Sequence, residues 1–144
     1  MKKRILLFAF VLSSLLTFNS CSSDDNSPST SGNIVGKWEY YKEGEIVNGN
    51  EYLDLYVHSA GCTKDYSEFK SDGTFVDYYY NDVCSLNTDS GTYSKVGDIL
   101  TRDDGFDAQQ YTILQLDNST LKVKFTYTDA GETFTSVLIF KRIN

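Results

Sequence analysis

The sequence predicts an all-β domain: an antiparallel up-and-down meander of about eight or nine strands that closes into a small barrel. Three observations predict it. Val, Ile, Thr, Tyr and Phe recur in short runs separated by Gly, Asp, Asn and Ser, which is strand-and-turn composition. The single proline is Pro28, so none interrupts a hydrogen-bonded ladder beyond it. No stretch after residue 33 carries a helical period for three turns. Residues 34–144 form one domain, long enough to bury roughly 65% of its unfolded surface. Closing the meander removes its exposed edges.

The strands follow in order. Residues 34–42 hold Trp38 and Tyr40 on one alternation phase, with Lys37 and Glu39 on the other. Residues 51–57 place Leu53, Leu55 and Val57 together. Segments 66–70 and 74–80 flank Ser71-Asp72-Gly73, a tight-turn signal with glycine where a positive φ is needed. Segments 90–95 and 98–102 flank Val96-Gly97, and 109–116 and 120–128 flank Asp117-Asn118-Ser119. Leu121, Val123, Phe125 and Tyr127 alternate with Lys122, Lys124 and Thr126, the pattern of a half-buried strand. The last strand, 132–142, carries Phe134, Leu138 and Phe140 on one phase. Val137-Leu138-Ile139-Phe140 is apolar on both phases, so cover is expected on both faces. The stretches 44–50 and 103–108 read as loops.

The N-terminus reads as a leader. Lys2, Lys3 and Arg4 precede an apolar run, Ile5 to Leu16, interrupted only by Ser13 and Ser14. About 12 helical residues span about 18 Å, short for a ~30 Å hydrocarbon core, so residues 1–20 are expected to be a cleaved signal peptide. Ser20 precedes Cys21, and a polar run follows at once. This resembles the lipobox of bacterial lipoproteins, with Phe18 where a leucine is usual. The resemblance implies that Cys21 carries acyl chains, palmitate among them, which anchor the protein to a membrane. Residues 22–33 lack apolar side chains apart from Pro28 and form a tether with a reach on the order of 20 Å. Ser22-Ser23-Asp24-Asp25 also resembles an acidic export signal of surface lipoproteins. The expected location is therefore the outer membrane, facing outward.

Charge and cysteines narrow the classes further. Without residues 1–20 the chain holds ten basic and twenty acidic residues, a net charge of −10. That surface repels nucleic acid and anionic headgroups. With Cys21 acylated, Cys62 and Cys84 remain as an even pair in an oxidising compartment. A bridge would close a loop of about 22 residues, worth roughly 3 kcal/mol. The competing reading is a metal or catalytic thiol, although a metal site wants more Cys or His nearby and the only histidine is His58. His58 reads as a loop or surface residue without triad partners. Asp103, Asp104 and Asp107 lack the ordered oxygen spacing of a calcium loop and read as a solvated acidic loop. Asn118-Ser119-Thr120 reads as a turn. No metal, cofactor or catalytic set is expected.

Further motifs carry a family resemblance. Gly36-Lys37-Trp38 matches the G-x-W signature of lipocalins. Cys62, Glu68-Phe69-Lys70-Ser71-Asp72-Gly73-Thr74-Phe75, Cys84, Gly91-Thr92-Tyr93 and the ending Leu138-Ile139-Phe140-Lys141-Arg142 resemble the lipocalin-like domains of bacterial lipoproteins. Tyr93 stands where tryptophan is common. The resemblance implies a lipocalin-like barrel over roughly 34–142, a Cys62–Cys84 pair and no catalytic residues.

Two functions follow. In one, a small hydrophobic or amphipathic ligand sits in the barrel mouth, with Trp38, Tyr40, Phe69, Tyr93, Phe125 and Phe134 as candidate lining residues. In the other, those aromatics fill the interior and the protein is a non-enzymatic surface interaction or adhesion protein. Within Tyr78-Tyr79-Tyr80, alternation sends Tyr79 to the face opposite its neighbours. Tyr79 is accordingly the candidate outward patch for protein or glycan, set against ordinary cross-strand pairing. The protein is expected to be a monomer.

Overall fold

Nine antiparallel strands follow one another in the computed structural model, which describes residues 29–144. The leader, Cys21 and most of the tether lie outside the described residues. The strands are β1 (Gly36–Val47), β2 (Asn50–Leu55), β3 (Tyr66–Phe69), β4 (Thr74–Tyr80), β5 (Leu86–Val96), β6 (Ile99–Asp103), β7 (Ala108–Leu116), β8 (Thr120–Asp129) and β9 (Glu132–Ile143). β9 returns to pair with β1, Trp38 opposite Arg142 and Tyr40 opposite Phe140, which closes eight strands into a barrel. β2 is the ninth and lies outside the ring. β1 is long enough to use one edge twice: Gly36 to Glu39 pair with β3, and Lys42 to Val47 pair with β2.

Alternation decides which side chains fill the ring. Trp38, Phe69, Phe75, Leu100, Ile113, Leu121, Val123 and Phe140 are buried in one cluster. Trp38 closes the end from which β1 starts and is 0% exposed. Its indole Nε1–H donates to the Ile34 carbonyl at 2.7 Å, and the Arg142 guanidinium lies 4.1 Å from its ring centroid. A buried tryptophan removes about 150–250 Å² from water, a gross gain of roughly 4–6 kcal/mol. The glycine two positions earlier has a physical reason. Gly36 adopts φ +134°, and a Cβ there would lie 2.5 Å from the Arg142 side chain. Any other residue would strain the backbone and displace the cap over Trp38.

Several expectations are corrected. The 44–50 stretch is not a loop: β1 runs on to Val47, and Asn48-Gly49, both with positive φ, turn directly into β2. Asn-Gly is the preferred pair for such a two-residue hairpin. β2 ends at Leu55, and Leu55 and Val57 are exposed because this strand adds to the outside of the ring. β5 begins at Leu86, four residues before the expected start. After Leu86 its residues 87–90 are polar and give no apolar alternation, yet residues 86–88 continue the ladder with Tyr78 to Tyr80. In β9 the two-sided cover is present: Val137 and Phe140, on opposite phases, are both buried.

The register of β1 slips once. Tyr40 faces Phe140, but Lys42 faces Ile139, so Tyr41 is an extra residue. A bulge of this kind exchanges the phases. Below it the even residues Trp38 and Tyr40 share a face with Phe140. Above it Glu43 and Glu45 stand opposite Leu138 and Ser136, which continue that face.

At the open end the loops are tied down. Cys62 and Cys84 form a disulfide, Cα–Cα 5.2 Å, that joins the β2–β3 loop to the β4–β5 loop. His58 is half-buried in the first of these loops. Its Nδ1 accepts from the Asp65 amide at 3.0 Å, so the ring proton sits on Nε2 and donates to the Tyr40 carbonyl at 2.9 Å. The Asp65 carboxylate in turn accepts from the Tyr80 amide at 2.8 Å and from the Tyr56 hydroxyl at 3.2 Å. We expect the Cys62→Ala/Cys84→Ala variant to lose about 3 kcal/mol of stability through the freed unfolded chain. Urea denaturation would measure it, and an unchanged midpoint would contradict the account.

Candidate functional site at the open end of the barrel

The interior changes character along its length. Near the closed end it is packed with rings: Phe69 meets Tyr93 edge-on at 5.0 Å, and the Tyr93 hydroxyl donates to the Lys70 carbonyl at 2.8 Å. Above them sits a polar belt. Asp77 follows Phe75 on the inner phase of β4, and Arg102 follows Leu100 on the inner phase of β6. The strand between them, β5, places Gly91 opposite Phe75. With no side chain at 91, Arg102 reaches across to lie 3.9 Å from the Phe75 ring centroid and to form an ion pair with Asp77.

Both charges are taken out of water, with side chains 13% and 5% exposed. A buried carboxylate must have its oxygens satisfied. Ser67 donates to Asp77 Oδ1 at 2.5 Å, and Tyr79 donates to Oδ2 at 3.2 Å. The Tyr40 hydroxyl lies 3.3 Å from Ser67 Oγ and 3.5 Å from the Tyr79 hydroxyl. Burial, the largest single influence, lowers the Arg102 pKa, but the charge and hydrogen bond of Asp77 together with the neighbouring Tyr40 and Tyr111 raise it overall, so the guanidinium stays charged. Burial, helped by Asp77 nearby, pushes the hydroxyls of Tyr40 and Tyr79 upward, so both remain protonated donors. The Arg102 Nε–H is buried without a hydrogen-bond acceptor. The ring face of Phe75 is its compensation.

This belt is the floor of a cavity of about 200 Å³. Its walls are Tyr79 from β4, Asp89 from β5, Gln109 and Tyr111 from β7, and Asp104 and Asp107 from the β6–β7 loop. Asp104 accepts from the amides of Phe106 and Asp107 at 2.9 and 3.1 Å, which holds its carboxyl below the usual range. Phe106, on the same loop, is 98% exposed. A second cavity of about 280 Å³ lies against Glu43, Glu45, Phe125 and Leu138. A third, about 270 Å³, lies where Tyr40 and Tyr41 meet Tyr56 and His58.

The residues nominated from sequence are divided by this geometry. Trp38, Phe69 and Tyr93 belong to the packed end and line none of the three cavities. Tyr40 touches the belt with its hydroxyl and the third cavity with its ring. Phe125 lines the second cavity, and Phe134 stacks on Tyr127 at 5.4 Å beside it. Tyr79 is not an outward patch. It shares the inner phase with Phe75 and Asp77 and packs against the core, 6.1 Å from Tyr40. The outward members of that run are its neighbours, and Tyr78 stacks on Tyr66 at 4.4 Å. Asp77, Arg102, Ser67, Asp89 and Tyr111 were missed. The available signal was a charge sitting between apolar residues on an inner phase, as in Phe75-Val76-Asp77-Tyr78-Tyr79. Among the described residues, no group of three or more His, Cys, Asp or Glu side chains is arranged to hold a metal ion.

An eight-strand barrel plugged by a tryptophan at one end and open over a polar floor at the other has the architecture of a small binding barrel. The chain belongs to the lipocalin-like domain family, whose sequence model matches residues 34–123. Two bacterial structures share the fold. One is a protein from Bacteroides eggerthii with 14% identity and a TM-score of 0.55, covering 77% of this chain and 100% of its own. The other is a lipocalin-like protein from Bacteroides uniformis with 16% identity and a TM-score of 0.55, covering 78% and 100%. A bovine odorant-binding protein in complex with undecanal aligns over 76% of this chain and 70% of its own, with 18% identity and a TM-score of 0.45. No curated protein matches the sequence.

The belt makes a stability prediction. Arg102→Met strands a buried carboxylate and should cost about 3–5 kcal/mol, as should Asp77→Asn, which leaves the guanidinium unpaired. The double variant Asp77→Asn/Arg102→Met should recover much of that loss. Equilibrium urea denaturation of the three variants measures the coupling, and strictly additive losses would contradict a buried pair.

Proposed function

We propose that this protein is a lipid-anchored envelope lipoprotein whose barrel holds a small ligand at its open end. The observation that carries this reading is the cavity of about 200 Å³ over the Asp77–Arg102 belt. A rigid, polar floor beneath partly aromatic walls is how binding sites combine affinity with orientation. The volume is below the ~300 Å³ at which drug-sized pockets begin, so the ligand is correspondingly small. The family supports a binding role, since lipocalin-like folds generally take small hydrophobic ligands. The reading is non-catalytic: the single histidine is committed to backbone groups, and the most buried carboxylate of the belt is committed to Arg102.

The surface-interaction reading draws on a different observation. Val57, Val83 and Phe106 project from three loops at the open end, each more than three-quarters exposed. It would apply if the cavities hold only water.

Native mass spectrometry of the protein purified from its own cells tests the choice. A ligand-mass adduct that disappears on unfolding is expected. Apo protein alone, at every desolvation energy, would favour the surface reading. The location is tested separately. Cys21→Ala should shift the protein from the detergent-extracted membrane fraction to the soluble one, and unchanged fractionation would refute the anchor. Ser22-Ser23-Asp24-Asp25 supports an outward orientation, which proteinase digestion of intact cells would reveal as loss of the full-length protein.

A further inference from the structure

We propose that the ligand at the open end is a small organic amine, bound as a cation with its apolar body between Tyr79 and Tyr111. The inference rests on the binding reading above and names the chemistry of that site. It follows from the charge balance of the cavity. Four carboxylates and one guanidinium line it. The guanidinium is already matched, because Arg102 is paired with Asp77. Asp89, Asp104 and Asp107 are left, and none of them has an ion-pair partner among the described residues.

The placement of these three groups separates a site from a merely acidic surface. All three are exposed and stand at the rim of a cavity whose floor is buried, so their combined field falls on its entrance. The walls between them are the rings of Tyr79 and Tyr111, and an aromatic face attracts a cation. A carboxylate or phosphate ligand would meet three unmatched negative charges, while the one positive group is occupied. A neutral hydrophobic ligand would gain nothing from those exposed carboxylates. An ammonium answers both problems. The second cavity repeats the pattern independently: Glu43 and Glu45 stand beside Phe125, and no basic residue lines it. The bulge at Tyr41 is what brings those two glutamates onto the face of Leu138.

Three probes of nearly equal shape isolate the charge: tryptamine, 3-ethylindole and indole-3-propionate, which are cationic, neutral and anionic at pH 7. Calorimetric titration of the purified full-length protein at low ionic strength should find tryptamine bound at least tenfold more tightly than indole-3-propionate, with 3-ethylindole between them. The preference should shrink with added salt. It should fall below threefold in Asp104→Asn/Asp107→Asn, a variant that keeps an acceptor for the loop amides and so preserves the turn. Asp89→Asn, on β5, provides a second variant outside that loop and should weaken tryptamine in the same direction. Equal binding of the three probes, or tighter binding of the acid, overturns the amine assignment and leaves ligand binding standing. A cationic preference unchanged in both variants also overturns it. Binding of none of the three overturns the assignment and the cavity reading together.

Discussion

The pairing of β9 with β1 is the constraint on which the rest depends. A meander of eight strands left open would expose two unpaired edges and one greasy face. Closing it converts the edges into a ladder and the face into an interior. The same pairing puts Arg142 opposite Trp38, so the guanidinium that caps the indole arrives with the closing strand. Gly36 has to be glycine because its φ of +134° strains any other residue, and the same cap lies against it. Closure, plug and signature motif are one arrangement seen at three scales.

An interior of this width can be filled completely or left partly open. This chain does both, and the boundary between the two regimes is ionic. Below the belt, rings pack on rings. At the belt, Asp77 and Arg102 replace what would otherwise be another aromatic layer, and four hydroxyl-bearing side chains, Ser67, Tyr40, Tyr79 and Tyr111, surround them. A buried pair seldom adds net stability over a well-packed apolar substitute. Its value here is positional, because a fixed polar floor sets the depth to which anything entering the barrel can go.

The strands were readable because period two survives in residues such as Leu121, Val123 and Phe125, and because the turns carry Gly and Asn at the required positions. The site was much less readable. Trp38, Phe69 and Tyr93 looked like lining because they are large and aromatic, yet size alone marks the packed end of a barrel as readily as its mouth. The cavity is instead marked by polar residues in inward positions. Asp77 and Arg102 break the apolar pattern and Asp89 sits in a run that has none, and such stretches look like loop or surface until the register is known. Tyr79 shows the same limit. Alternation separated it from its neighbours, but only pairing with β3 and β5 fixes which face is the inside. Glu43 and Glu45 were hidden further still, since a single extra residue at 41 reverses the inward phase of β1 beyond it.

The disulfide gives the open end a left and a right. Cys62–Cys84 staples two neighbouring rim segments, and Asp65 and His58 lock the backbone beneath them. On the opposite side, the 104–107 segment and the Ala130–Gly131 turn have no covalent tie among the described residues. The entrance therefore behaves like a door frame with one fixed jamb. The far jamb, which carries Asp104 and Asp107, is held by hydrogen bonds from its own amides to Asp103 and Asp104 rather than by a covalent bond.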